Sequence, residues 1–317
     1  MKNIGKIKIN NERRKMKISV IVPVYNRLEH LRALCLCLIK QEEKPDELII
    51  SDDGSSEKVM DFIEDLFPKM DFKVKHIYQK DLGFRKTRAL NNGVREAEGD
   101  VLVFCDQDLI FPESHIKNIK KEIKRGIFLM GRPYSTNENE KNTIVFNLEK
   151  NKSYMESIDI IPKEYVISVR KTLKKDKNRR ILNKIGLNKR GIKLVGMSYA
   201  MYKEDYIAVN GYDEKYMGWG FEDDDFGNRL MVFGVKGKEF DYEPIQLHLY
   251  HPYDSTKKQS ANEKYYYEQK EKILKNKQFY CEYGYNNSLM KDRIEIKILI
   301  NEKGKENEKN IGNNTSL

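Results

Sequence analysis

Apolar and polar positions alternate in blocks along the first third of the chain, and the blocks change period as strands and helices do. Lys17 to Val24 (KISVIVPV) is a nearly continuous β-branched run, the pattern of a strand buried on both faces of a parallel sheet. After a turn at Tyr25-Asn26-Arg27, Leu28 to Gln41 carries helical spacing. Glu47 to Ser51 predicts a second strand, ended by Asp52-Asp53-Gly54-Ser55-Ser56. Glu57 to Phe67 reads as a helix, Val74 to Tyr78 as a strand and Thr87 to Ala97 as a helix. Asp100 to Cys105 predicts a further strand that runs straight into Asp106-Gln107-Asp108. This alternation predicts an α/β fold with an open sheet and right-handed crossovers. Ligands of such sheets sit at the carboxyl ends of the strands, the edge where Asp52/Asp53 and Asp106/Asp108 fall.

Beyond residue 131 the pattern is less regular. Thr172 to Arg190 is strongly basic, either as a solvated helix face or as a contact for an anionic acceptor or membrane surface. Leu194 to Tyr202 and Ile245 to Tyr250 read as strands, Glu204 to Val209 and Asn262 to Phe279 as helices. From about Asn301 the chain is polar and of low complexity, so disorder is expected.

The 317 residues suffice for one large domain or two small ones. Hydrophobic residues make up 39% and charged residues 34%, the balance of a globular protein with a heavily charged surface. A net charge of +10 favours anionic partners, with composition bias toward Lys and Asn as the other source of the surplus. Cys35, Cys37, Cys105 and Cys281 form no CxxC pair, so buried free thiols in a reducing cytoplasm are expected. Met1 to Lys17 lacks the apolar core of a leader peptide, and the longest apolar run, Ala33 to Ile39, is too short to span a bilayer. The expected location is cytoplasmic, with any membrane contact peripheral and at the inner face.

Candidate chemistry gathers at three places. Gly218 to Phe226 (GWGFEDDDF) sets four carboxylates beside the only tryptophan, between glycines that permit backbone geometry a Cβ would resist. One reading is a solvated acidic turn capping a helix over Asp224 to Met231. The other is a catalytic loop, with Trp219 offering a flat face to a sugar ring and one acid offering a base. Asp106 and Asp108, one residue apart, can both approach a hard divalent cation or divide the work between metal and sugar hydroxyls. His248 and His251 are either ordinary hydrogen-bonding histidines or ligands. One imidazole joined to Asp108 would suit Mn²⁺ and leave positions open for phosphate oxygens.

These pieces belong to an ordered series: VIVPVYNR from Val20, SDDGS from Ser51, GFRKTRALNNG from Gly83, FCDQD from Phe104, NGYDEKYMGWGFEDDDFGNRL from Asn210 and LHLYHP from Leu247. The series resembles a GT-A glycosyltransferase. Its N-terminal half is similar to family 2, and its C-terminal half to the galactosyltransferase motif of animal β-1,4-galactosyltransferases and bacterial chondroitin polymerases. The resemblance implies a Rossmann-like, mostly parallel central sheet flanked by helices, with a C-terminal acceptor and metal-site half. It implies a glycosyltransferase domain over 17–260, divided into a nucleotide-binding half (17–131), a variable basic segment (132–193) and an acceptor half (194–260). A flexible basic lead (1–16), a C-terminal helical extension (261–300) and a disordered tail (301–317) are expected around it.

The same resemblance implies roles. Asp53 corresponds to the acid that holds the uracil, with the backbone near Pro23 holding the nucleotide. Arg88 corresponds to the basic residue near the diphosphate, and Asp106 to the acid nearer the donor sugar. Asp108 and His251 correspond to metal ligands for Mn²⁺ or Mg²⁺, with His248 as a third. Asp223 aligns with the catalytic base. Glu222 and Asp224 would hold donor or acceptor hydroxyls, and Trp219 with Gly220 would line the sugar site. Phe221 stands where the animal enzymes have glycine, which implies a less mobile loop or a differently shaped acceptor site. The stalk, anchor and disulfides of Golgi enzymes have no counterpart, nor has the second catalytic domain of chondroitin polymerases, so a single transfer type is expected.

The expected activity is inverting, metal-dependent transfer of a hexose or N-acetylhexosamine, with Gal or GalNAc favoured. The donor is a UDP-sugar and the acceptor a glycan or lipid-linked glycan in bacterial surface polysaccharide synthesis. A sugar-nucleotide nucleotidyltransferase is the other enzyme reading, but it needs a Gly-rich phosphate loop, which Val20 to Arg27 is not. A non-catalytic glycan- or lipid-binding module has no need of Asp108, Asp223 and His251 together. A nucleic-acid partner is not expected, because aromatics do not interleave with the basic cluster.

Overall fold

The β-branched run after Lys17 forms the centre of a nine-stranded sheet among the described residues. A computed structural model describes residues 15–240, 244–252, 260–301 and 305–306. Most of the expected basic lead (1–16) and of the expected disordered tail (301–317) lies outside the described residues.

In chain order the elements are β1 (Ile18–Val24), α1 (Leu28–Ile39), β2 (Glu47–Asp52), α2 (Val59–Ile63), a 3₁₀ helix (Glu64–Lys69), β3 (Lys73–Gln79), α3 (Lys86–Glu96), β4 (Val101–Cys105), β5 (Leu109–Ile110) and α4 (His115–Glu122). There follow β6 (Ile127–Met130), β7 (Tyr134–Ser135), α5 (Glu138–Glu149), α6 (Tyr154–Ile158), α7 (Lys163–Lys184), β8 (Ser198–Tyr202), α8 (Lys203–Ala208) and α9 (Glu222–Phe233). The last are β9 (Lys236–Glu239), β10 (Leu247–His248), α10 (Glu263–Asn276), β11 (Ile294–Asn301) and β12 (Lys305–Glu306).

The large sheet runs β12-β11-β3-β2-β1-β4-β8-β6-β9. Its core, β3-β2-β1-β4, is parallel, as the βαβ spacing dictates. Register places Val24 of β1 opposite Asp52 of β2, and Ile21 opposite Phe104 of β4, so these strands end along one edge. Alternate side chains point to opposite faces. Val20 and Val22 pack toward α1, with Leu31, Leu34 and Leu38, whereas Ile21 packs with Leu90 and Val94 of α3 and with Phe226 and Leu230 of α9. The period of two thereby fixes which helices cover which face. A three-stranded sheet, β5-β10-β7, sits beyond the end of β4. The four cysteines are buried and free.

Several expected elements change. The helix expected over 57–67 breaks into α2 and a 3₁₀ helix that contains Pro68, which cannot donate the backbone bond an α-helix needs. The irregular region 132–190 holds α5, α6 and the 22-residue α7. The extension 261–300 is helical only in α10; its end, Ile294–Asn301 (IEIKILIN), is a strand paired antiparallel with β3. β-Branched residues at every second position fit that unpaired edge better than a helix. Among the described residues no helix is long and apolar enough to cross a membrane.

Candidate active site

Three segments deliver the candidate residues to one edge of the sheet: the end of β4, the β5–β10 pair and the turn before α9. Past Cys105, the Asp106 N–H donates to Met197 O at 3.0 Å, and the Leu109 N–H returns to Asp106 O at 3.1 Å. This tight turn holds Asp106 half-buried and Asp108 buried at the end of β4. β10 then pairs antiparallel with β5, placing His248 opposite Leu109, and the Leu249 N–H donates to Asp108 O at 2.8 Å.

That register brings together residues 140 or more positions apart. His248 Nε2 lies 3.2 Å from Asp108 Oδ1, and His251 Nε2 lies 3.5 Å from Asp108 Oδ2. One ligand atom from each of the three side chains lies within 4.8 Å of the others. The Arg27 guanidinium approaches Asp108 at 4.0 Å, from a turn in which Asn26 and Arg27 both take left-handed backbone conformations. Burial alone would push the Asp108 carboxyl up, but His248, then His251 and Arg27, hold it down at about 2.

The cluster fits a divalent cation. His251 Nδ1 stands 3.0 Å from the Pro252 carbonyl, which only accepts, so the ring proton belongs on Nδ1. Burial lowers the affinity of this imidazole for a second proton. Its unprotonated Nε2 therefore meets the Asp108 carboxylate acceptor to acceptor, an arrangement that a cation between them relieves. Asp108 Oδ1 is likewise buried without a well-directed hydrogen bond.

The acidic turn is built for strain at defined points. Gly218 (φ 81°) and Gly220 (φ 107°) take conformations that L side chains resist. The Gly218 N–H is anchored to Phe84 O at 2.9 Å, and Trp219 between the glycines is 46% exposed. Phe221 also lies in the left-handed region (φ 71°), and its ring stacks on Tyr266 of α10 with centroids 4.6 Å apart. That stacking offsets the backbone cost of placing a side chain there. Glu222 to Asp225 then form the first turn of α9, where the helix dipole favours acids.

The four acids differ in surroundings. Asp223 Oδ1 accepts from Tyr212 Oη at 2.9 Å, and Oδ2 accepts from the Gly196 N–H at 3.1 Å. A Cβ at Gly196 would stand 2.1 Å from Asp223 Oδ1, so only glycine lets the two meet. Asp224 is tied by Arg190, by Lys193 at 3.1 Å and by the Tyr266 hydroxyl, and Asp225 is buried against Arg229 at 2.7 Å. Burial, with the Asp223 charge behind it, pushes the Glu222 carboxyl up to about 7.

Lys86 joins the two acidic motifs. Its Nζ lies 2.6 Å from Asp106 Oδ1, and Asp106, Asp223 and Glu222 together overcome burial to strengthen its hold on its proton. Sequence reasoning passed over it in favour of Arg88, two residues later. The structure gives Arg88 partners in the C-terminal segment. Arg88 is buried, and its guanidinium bonds Asp292 Oδ2 at 2.9 Å, Asp292 O at 3.0 Å and Ser288 Oγ at 3.2 Å. It fastens the C-terminal segment to the sheet. Lys86 opens α3 at the ligand edge, the signal that distinguishes it from Arg88. Asp53 follows β2, on the side of β1 opposite β4, and its N–H donates to Val24 O at 2.8 Å, next to Pro23 of β1. Asp53 accepts from Gln79 Nε2 and the Arg85 N–H, both at 2.6 Å, and burial raises its carboxyl to about 6.

The model of glycosyl transferase family 2 matches residues 19–186, and the model described as the N-terminal domain of galactosyltransferase matches residues 177–252. The chain is 33% identical over 127 residues to the glycosyltransferase YwdF of Bacillus subtilis (40% of this chain, 46% of that protein). It is 24% identical over 228 residues to a chondroitin synthase of Escherichia coli (67% of this chain, 32% of that protein). It spans less than half the length of these curated relatives. The structure of S. aureus TarS 1-349 in complex with UDP-GlcNAc superposes with a TM-score of 0.51 at 15% identity, over 80% of this chain and 64% of that one. At that identity the likeness concerns the fold.

Proposed function

The chain belongs to glycosyl transferase family 2, and from that premise we propose that it is an inverting, metal-dependent glycosyltransferase. It moves a hexose or N-acetylhexosamine, with Gal or GalNAc favoured, from a UDP-sugar to a glycan or lipid-linked glycan of a bacterial surface polysaccharide. It works in the cytoplasm, at the inner face of an anionic membrane. The observation that carries this reading is Lys86, which stands 2.6 Å from Asp106 at the end of β4 and whose proton is held more firmly by the nearby charges of Asp223 and Glu222.

Each residue has a task in this reading. Asp53, with the backbone at Pro23, holds the uracil; Lys86 and Arg27 hold the diphosphate; Asp106 holds the donor sugar. Trp219 and Gly220 present the sugar platform, and Glu222 and Asp224 orient hydroxyls. Asp223, fixed by Tyr212 and Gly196, takes the proton of the acceptor hydroxyl as its oxygen bonds to the anomeric carbon. The bond from that carbon to the UDP oxygen breaks on the opposite face, so the configuration inverts without a covalent enzyme intermediate. Asp108, His248 and His251 would hold Mn²⁺ or Mg²⁺, and two imidazoles weigh toward Mn²⁺. Such an ion supplies charge neutralisation at the departing diphosphate.

The experiment is incubation with Mn²⁺ and a panel of UDP-sugars, following UDP release with and without candidate acceptors. Release from one or two donors, accelerated by an acceptor, is expected. No release from any UDP-sugar, or release indifferent to every metal, overturns the reading.

A further inference from the structure

The 22-residue α7, about 33 Å long at 1.5 Å per residue, leans on the body through one stripe and shows solvent the rest. Along that stripe Asp176 pairs with Arg132 at 2.8 Å, and Arg180 with Glu239 at 2.8 Å. The opposite face, at spacings of three and four, carries Ile167, Lys171, Lys174, Ile181 and Ile185. All five are exposed.

The end of this helix is unusually apolar for a solvent-facing cap. Gly186 in the left-handed region closes it, with the Leu187 N–H on Leu182 O at 2.9 Å and the Gly186 N–H on Asn183 O at 3.1 Å. Such a cap commonly packs the residue after the glycine on the last turn, so a Leu182–Leu187 pairing alone would be ordinary. Here, however, Ile181 is 47%, Leu182 39%, Ile185 64% and Leu187 75% exposed. Four large aliphatic side chains within seven positions project beside exposed Lys174, Lys175, Lys184 and Lys189.

We infer that the outer face and C-terminal cap of α7 form a docking surface for an anionic lipid bilayer. The lysines meet the headgroups, and Ile181, Leu182, Ile185 and Leu187 enter the boundary of the acyl chains. An apolar tip among cations suits a bilayer, which offers anionic headgroups above an apolar phase. An acidic glycan or nucleic acid offers only the charge. Three residues beyond Leu187, Arg190 holds Asp224 of the acidic turn, so the docked surface lies next to the candidate acceptor site. This surface rests on the proposed use of a membrane-borne acceptor.

The test is sedimentation of the full chain with phosphatidylcholine vesicles, with and without phosphatidylglycerol, alongside UDP release from the donor in solution. Binding to the anionic vesicles alone is expected, weakening as salt rises. Ile185→Ser with Leu187→Ser should weaken it about 10-fold or more, as should Lys171→Glu with Lys174→Glu, with donor hydrolysis unchanged. No vesicle binding, equal binding to neutral vesicles, or unchanged binding by both variants overturns the surface. So does a concentration-dependent dimer abolished by Ile185→Ser/Leu187→Ser in place of vesicle binding. Vesicle binding without UDP release from any donor would instead leave the surface standing and sink the glycosyltransferase reading.

Discussion

Lys86 Nζ stands 2.6 Å from Asp106 Oδ1 and within the electrostatic reach of Asp223 and Glu222. A single cation thus links a strand end and a helix start separated by more than a hundred residues of chain. Lys86→Met removes a charge-assisted hydrogen bond worth about 1.5–3 kcal/mol, which predicts a roughly 10- to 150-fold fall in kcat/KM for the donor. Lys86→Arg should retain part of it. Steady-state kinetics against donor concentration decide the matter; an unchanged kcat/KM in Lys86→Met would remove the residue from the site.

The arrangement of Asp108, His248 and His251 predicts a metal requirement with a definite residue dependence. Chelation should abolish turnover, and added Mn²⁺ should restore it. His251→Ala should weaken Mn²⁺ binding, read by titration calorimetry or by the spin resonance of free Mn²⁺, by about 10-fold or more. Wild-type affinity in both His251→Ala and Asp108→Asn would place the ion elsewhere.

Glu222 predicts a stability effect that grows with pH. Its folded carboxyl stands at about 7 against an ordinary 4.5, because burial and Asp223 disfavour its charge. The folded state therefore binds this proton more tightly than the unfolded state. Its stabilising contribution is complete below about pH 4.5 and is lost as pH climbs through about 7. Glu222→Gln cannot ionise, so relative to wild type it should gain on the order of 1–3 kcal/mol between pH 5 and 8. Urea unfolding at both pH values measures this. A difference between the two proteins that does not move with pH would contradict it.

Arg88 predicts a structural phenotype. Arg88→Ala leaves Asp292 with Arg85 alone, at 3.3 Å, and frees Ser288, at a cost of about 1.5–3 kcal/mol for lost hydrogen bonds to a charged group. Thermal melting should show the loss, while the donor KM of the folded fraction stays close to wild type. A large rise in donor KM with an unchanged melting temperature would return Arg88 to the diphosphate.

Much of the fold was legible because its central strands are buried on both faces. A run such as Ile18–Val24 is apolar at nearly every position, and β2 and β4 led directly into acids at one edge. The Asp108–His251 cluster was legible for the same reason, since both residues follow strands. α7 was less so, because its inward stripe is interrupted by Asp176 and Arg180, whose ion pairs supply what an apolar periodicity would have announced. β11 alternates cleanly but lies after a long helix, and only the open edge of β3 gives it a partner. Arg88 and Lys86 lie in one motif, and which of them reaches Asp106 depends on where α3 begins.

The most direct test is the single turnover and steady-state rate of Asp223→Asn. The substitution keeps the shape that receives the Tyr212 hydroxyl and removes the carboxylate that would take the acceptor proton. UDP and Mn²⁺ should bind as in wild type, while acceptor-dependent turnover falls by on the order of 10²–10⁴-fold, the range for loss of a general base. Normal turnover in Asp223→Asn, with Asp224→Asn or Glu222→Gln inactive, would move the base to a neighbouring residue. Full activity in all three would make the acidic turn a structural cap and contradict the catalytic role proposed for it.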